Sequence, residues 1–234
     1  MQLCIDAGNT SITFGFFEGG RLVRKTSLPT AAYRKFRLAQ RVERIIYASV
    51  VPRLDAYFAG YFRKADFIRL TYRQLKNITI GLQKKSEIGI DRLVNAAGAA
   101  EFHGAPAIII DLGTATTFCV LDKNRVYQGG LICPGINLTR LVLHEKTAKL
   151  PLIELKHKPS RLIGQSTVAA MQSGIYYGYA ALLNGVSEAL RREIPGARVI
   201  ATGGYAELLA QDMRADIVDP DLTLKSLYFI GVNL

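Results

Sequence analysis

Asp6-Ala7-Gly8-Asn9-Thr10-Ser11 and Asp111-Leu112-Gly113-Thr114-Ala115-Thr116 are two versions of one turn. Each follows a short apolar run, Leu3-Cys4-Ile5 in the first case and Ile108-Ile109-Ile110 in the second, and each precedes another apolar, β-branched run. The pattern is strand, tight turn, strand. The Asp falls where the first strand ends. The glycine has no Cβ, so its backbone can approach a phosphate or turn through positive φ. The amides and hydroxyls that follow can donate to phosphate oxygens, and the Asp can hold a metal ion or a water. One D-x-G-[NT] alone is common in hairpins for conformational reasons. Two copies with matched flanks point instead to a pair of turns gripping a nucleotide polyphosphate.

The repeat extends outward from the turns. A second polar turn follows each copy, Glu18-Gly19-Gly20 and Asp122-Lys123-Asn124, and then a third strand, Arg21 to Thr26 and Val126 to Leu131. The unit is a three-stranded meander present twice. Further along the first half, helix is expected over 31–43 and from Pro52 to Lys64. Short strands are expected at 44–49, 67–70 and 78–80, and an Ala-rich helix from Ile88 to His103. In the second half, helices are expected from Pro134-Gly135 to Lys146, from Thr167 to Arg192, after Thr202-Gly203-Gly204 as far as Met213, and over Leu222 to Val232. Residues 149–165 read as loop, and Val199 to Ala201 as a strand. A meander followed by alternating helices and strands is the ribonuclease-H-like unit. Its duplication is the α/β architecture of the acetate and sugar kinase, Hsp70 and actin superfamily, with the nucleotide in the cleft between two similar halves. The halves are taken as 1–104 and 105–234.

Composition narrows the class. The chain has 234 residues, 49% hydrophobic and 21% charged, ample for a packed core. No apolar run reaches the ~18–20 residues of a membrane span. The N-terminus runs directly into a strand without a basic leader, so a cytoplasmic protein is expected. Cys4, Cys119 and Cys133 have no metal or redox spacing, and Cys4 and Cys119 read as small buried hydrophobes. His103, His144 and His157 show no metal spacing either. The net charge of +11 lies wholly in residues 21–77, which hold 14 basic and 3 acidic residues; the remainder is balanced at 16 and 16. Such a segment can attract anions or nucleic acid. Its arginines are scattered without a groove pattern, which favours a solvated basic surface over a nucleic-acid face.

The motifs, in order, resemble those of the type III pantothenate kinases. They are Asp6-x-Gly8-Asn9-Thr10 with Gly15, Ser49-Val50-Val51-Pro52, Gly89-Ile90-Asp91-Arg92 and Asp111-x-Gly113-Thr114-Ala115-x-Thr117. Gly129-Gly130-x-Ile132-x-Pro134-Gly135, Thr147-Ala148-x-Leu150-Pro151, Gly164-x-x-Thr167 with Gly174, and Thr202-Gly203-Gly204 complete the set. The resemblance implies transfer of phosphate from ATP to the primary hydroxyl of pantothenate, the entry to coenzyme A synthesis. Asp6 would position Mg²⁺ through water. Gly8, Asn9, Thr10, Ser11, Thr13, Thr114, Gly203 and Gly204 would bind ATP, the two glycines letting adenine lie flat against backbone. Gly89, Ile90, Asp91, Arg92 and Thr167 would bind pantothenate, with Asp91 as general base. Asp111 would ligate a monovalent cation, K⁺ or NH4⁺, and the enzyme would be a homodimer that binds no membrane.

Each role has a plainer counterpart. Asp91 in the first turn of a helix stabilises the helix dipole, which favours its charged form and makes it a weak base. A loose phosphoryl-transfer transition state tolerates a weak base. Arg92 can fork onto a carboxylate or form a surface ion pair, and Thr167 can be an ordinary N-cap. Two positions depart from the family. Leu82, followed by Lys84-Lys85, stands where a pantothenate-contacting Tyr is usual, and Cys119 follows Thr116-Thr117-Phe118 where Asp is usual. The competing readings are a non-catalytic regulatory relative that uses the basic 21–77 segment, and a different kinase or polyphosphate hydrolase of the superfamily. Asp91-Arg92 argues against the first of these, and the Gly-x-Asp-Arg and Gly-Gly-x-Ile-x-Pro-Gly motifs together against the second.

Overall fold

The computed structural model describes residues 1–38 and 41–234. The chain divides into two compact units. The first comprises residues 1–104, 125–127 and 221–234, and the second 105–124 and 128–220.

In the first unit, β1 (Gln2–Ala7), β2 (Ser11–Glu18) and β3 (Arg21–Pro29) form the expected antiparallel meander. β4 (Arg44–Ser49) lies parallel to β1 and β5 (Asp66–Arg69) parallel to β4, giving the order β3-β2-β1-β4-β5. Leu3, Cys4 and Ile5 are all fully buried, as expected of a central strand covered on both faces. Against the sheet pack α1 (Pro52–Tyr61), with proline in its first turn, and α2 (Ile90–Phe102), whose alanines permit close approach. The core centres on aromatic rings: Phe36 stacks on Phe14 with centroids 4.2 Å apart, and Phe58 sits edge-on to both. A two-stranded pairing of β6 (Thr79–Ile80) with Val126 and Tyr127 also belongs to this unit.

The helix expected over 31–43 is not found among the described residues. Residues Thr30–Lys35 form a short 3-10 helix, and Phe36 leaves it in an extended conformation with ψ of 131° as its ring enters the core. Ala39 and Gln40, within the expected helix, lie outside the described residues. The final helix, α6 (Leu222–Val232), packs with the first unit although it follows the whole of the second. Tyr228 stacks on Phe17 at 4.5 Å, and Ser226 fits against Gly98 of α2.

The second unit repeats the arrangement. β7 (Ala107–Leu112), β8 (Ala115–Leu121) and β9 (Val126–Pro134) form the meander, β10 (Arg198–Thr202) is parallel to β7, and β11 (Ile217–Val218) is parallel to β10. Five of the sheet's six strands follow the order β9-β8-β7-β10-β11, that of the first sheet, and β6 is added beyond β9. Here α3 (Ile136–Glu145) and the 27-residue α4 (Thr167–Glu193) cover the sheet, with Tyr176 and Leu183 fully buried beside Ile108 and Val199. The N-cap of α4 is Ser166, whose hydroxyl accepts the Ala169 N–H at 3.2 Å; Thr167 is the first helical residue and not the cap. After Thr202 only α5 (Ala206–Leu209) forms, shorter than the helix expected to Met213. The chain turns there so that Asp212 can accept the Tyr176 hydroxyl at 2.7 Å and pair with Lys158.

Candidate active site

Both phosphate-type turns lie at the same place in their sheets. Asp6 is the penultimate residue of β1 and faces Thr13 across the ladder; Asp111 is the penultimate residue of β7 and faces Thr117. Each turn is closed by its glycine amide, Gly8 N–H to the Ser11 carbonyl at 3.0 Å and Gly113 N–H to the Ala115 carbonyl at 3.2 Å. The first turn has one more residue, since Ala7 pairs with Ile12 but Leu112 with Thr116. Asn9, Thr10 and Ser11 are exposed, while Asp6, Gly8 and Thr13 are half-buried. Hydroxyls and amides are therefore presented to solvent above a rigid strand end, a suitable surface for phosphate oxygens.

A residue the sequence reading missed holds the first turn. Thr30 is 1% exposed; its hydroxyl donates to the Gly8 carbonyl at 2.7 Å and its N–H to the Thr10 carbonyl at 2.9 Å. Thr30 lies 22 residues from Gly8 along the chain, just past Pro29, and nothing local to the turn marks it.

Asp91 and Arg92 open α2, with Gly89 as the N-cap. Asp91 Oδ1 accepts the Arg92 backbone N–H at 2.8 Å, so the carboxylate folds back over its own helix end. A Cβ on Gly89 would overlap that oxygen. Burial raises the Asp91 pKa above its ordinary value, and its bonds with the Arg92 N–H and the Arg92 charge only partly offset this. The expected weak, dipole-stabilised base is thereby corrected: desolvation outweighs the helix end, and the carboxylate is more basic than an exposed aspartate.

In the second unit, Gly203 has φ of +92°, and a Cβ there would lie 2.5 Å from Asp111 Oδ1 and 2.6 Å from the Leu112 nitrogen. Gly203 thus lets the end of β10 press against the Asp111 carboxylate. Gly204 is exposed, with open space where a Cβ would stand. Thr114 is half-buried beside Gly113. Thr167 is exposed and lines a groove of about 730 Å³ with Pro134, Leu143, Met171 and Tyr179. Tyr179 fixes one end of that groove, bonding to Thr139 Oγ1 at 2.6 Å and donating to the Pro134 carbonyl at 2.7 Å. Leu82, at one departure from the family pattern, is half-buried in the first unit, and Cys119, at the other, is 2% exposed.

Among the described residues no group of three or more His, Cys, Asp or Glu side chains is arranged to hold a metal ion. A single strand-end carboxylate such as Asp6 suits Mg²⁺ that arrives with ATP, since Mg²⁺ takes most of its ligands from phosphates and water. Part of the basic segment is neutralised: Lys25 pairs with Asp221, Arg44 with Asp66 and Arg69 with Asp55. No described helix is long and apolar enough to cross a membrane.

Two sheets that share one five-strand order, each with an aspartate-glycine turn at the end of its first strand, define an actin-like ATPase fold of the kind shared by sugar kinases. A solved ROK family glucokinase from Streptomyces griseus, in complex with glucose and AMPPNP, shares the fold. Its TM-score is 0.56 at 12% identity, over 99% of this chain and 100% of that one. The sequence pattern of the type III pantothenate kinases matches residues 2–189. A type III pantothenate kinase of Dehalococcoides mccartyi strain CBDB1 is 40% identical over 97% of this chain and 94% of its own length. One from Bacillus cytotoxicus is 36% identical over 98% and 95%. The chain belongs to the type III pantothenate kinase family.

Proposed function

We propose that this kinase transfers the γ-phosphoryl group of ATP to the primary hydroxyl of pantothenate, giving 4'-phosphopantothenate and ADP, the first step of coenzyme A synthesis. Membership of the family carries the substrate assignment. The observation that carries the chemistry is the half-buried Asp91 carboxylate, folded over the start of α2 beside Arg92. With its pKa raised, Asp91 orients the substrate hydroxyl and takes its proton as the bond to phosphorus forms. Arg92 forks onto the pantothenate carboxylate or carbonyl, and Gly89, Ile90 and Thr167 complete the substrate contacts.

In the first unit Gly8, Asn9, Thr10, Ser11 and Thr13 receive the phosphates, and Asp6 holds Mg²⁺ through water. In the second unit Thr114, Gly203 and Gly204 contact ATP, and Asp111 ligates K⁺ or NH4⁺. Bound Mg²⁺ supplies neutralisation of charge on the phosphate oxygens. The half-buried Asp111 carboxylate, with Gly203 pressed against it, suits a weakly hydrated monovalent ion.

The working form is a homodimer in the cytoplasm. Ile132, Val142, Leu152, Leu162, Ile163 and Val168 of the second unit are exposed apolar side chains, from 43% to 81%, available to a second copy of the chain. Free cysteines, two of them buried, suit a reducing compartment.

A coupled ADP-release assay with MgATP and K⁺, run with and without pantothenate, tests the assignment. Turnover that requires pantothenate is expected; ATP hydrolysis indifferent to pantothenate would overturn it.

A further inference from the structure

We infer that Thr30 is a positioning residue for ATP, acting through the first phosphate turn without touching the nucleotide. The inference rests on the reading that this turn receives the phosphates. A trans peptide is planar, with its C=O and N–H pointing in opposite directions. Thr30 Oγ1 holds the Gly8 carbonyl at 2.7 Å, so the Asn9 N–H on the same peptide points away from Thr30. The Thr30 N–H holds the Thr10 carbonyl at 2.9 Å, so the Ser11 N–H points away as well. Two alternate amides of one exposed turn are thereby aimed outward by a single residue that is itself 1% exposed.

The chain around Thr30 is shaped to make this possible. Pro29 pairs with Ser11 at the end of the β2–β3 ladder but has no N–H to give. The next residue supplies the missing donor, and the 3-10 helix that begins at Thr30 directs the chain away at once. Without the Thr30 hydroxyl the Gly8 carbonyl loses its bond, and its peptide is free to rotate. Rotation would replace a donor with an acceptor facing the phosphates.

The test is ATP, ADP and AMP affinity, with KM and kcat, for Thr30→Val and Thr30→Ser. Thr30→Val keeps the shape and removes the hydroxyl. It should raise the ATP dissociation constant and KM about three- to tenfold. The loss should be graded ATP over ADP over AMP, with the KM for pantothenate unmoved. Thr30→Ser should restore ATP affinity. A lower Tm without any change in nucleotide affinity, or an equal loss for all three nucleotides, would overturn the inference. Asn9→Pro, which removes the outward N–H itself, serves as control for the underlying reading. If it weakens ATP and Thr30→Val does not, only the role of Thr30 fails. If neither variant weakens ATP, the turn is not where the phosphates bind.

Discussion

Gly89 and Asp91 occupy one volume: a β-carbon on Gly89 would overlap the Asp91 Oδ1 atom that accepts the Arg92 N–H. The absence of a side chain at one position therefore fixes the reactive group at another. Gly89→Ala is expected to push the carboxylate off the helix end and lower kcat by roughly 10–100-fold, the usual cost of a misplacement near 1 Å. ATP affinity should be retained, because the substitution does not touch the phosphate turns. Steady-state kinetics alongside ATP titration would check this, and an unchanged kcat would refute the positional argument.

Asp91→Asn separates function from stability. Turnover should fall about 100-fold or more while ATP still binds. Burial holds the Asp91 pKa above its ordinary 3.8, so the folded state favours the protonated carboxyl. As pH rises past about 3.8 the unfolded chain ionises first, and native stability drains away until the folded carboxyl has ionised too. Asparagine carries no such penalty. The variant should melt higher than the parent at pH 7, with the difference closing toward pH 4. Melting curves across pH would show it, and a variant that melts lower at pH 7 would contradict the desolvation account.

Gly203→Ala should be costly for two reasons. Its φ of +92° is strained for an L-residue, and the new methyl would meet Asp111 Oδ1 and the Leu112 nitrogen. A loss of about 1–3 kcal/mol is expected, measurable as a lower denaturant midpoint. Gly204→Ala, where a Cβ would meet open space, should be near neutral in the same experiment.

Replacing K⁺ or NH4⁺ with Na⁺ should raise the KM for ATP. Asp111→Asn should abolish the difference between the ions. Equal kinetics in all three salts for the parent enzyme would remove the cation role from Asp111.

Val168 is 43% exposed in the first turn of α4, next to the groove lined by Thr167 and Met171. An acidic residue there favours the helix dipole, so Val168→Asp should leave the fold intact while placing charge on the apolar surface. Sedimentation should show a monomer with an unchanged far-UV spectrum. A dimer of undiminished affinity would move the interface elsewhere.

The repeat was legible because its signals are local. Ile108 to Ile110 could only be a buried strand, and Asp111-x-Gly113 could only turn; the same holds for Leu3 to Gly8. The Ala-rich run from Ala96 to Ala100 announced a helix that packs closely. What escaped depends on distant partners. Thr30 works on a turn about twenty residues back. Among the described residues of 31–43, the expected helix gives way to the burial of Phe36 against Phe14. Asp91 carried a helix-end signal, yet its basicity is set by desolvation, which no short stretch of sequence encodes. The sequence offered Thr167 as the ordinary cap of α4, and the geometry puts Ser166 there instead.

The return of α6 to the first unit has a consequence for biosynthesis. Leu222, Leu224, Leu227 and Ile230 are all buried there, against a sheet whose first strand begins at Gln2. Synthesis reaches α6 only after the whole of the second unit, so this face of the first sheet stays open until the second unit has been made. A product terminated near residue 220 would hold every predicted catalytic residue and still leave an apolar trough open to chaperones and proteases. The fold thus ties closure of the first unit to prior synthesis of the second.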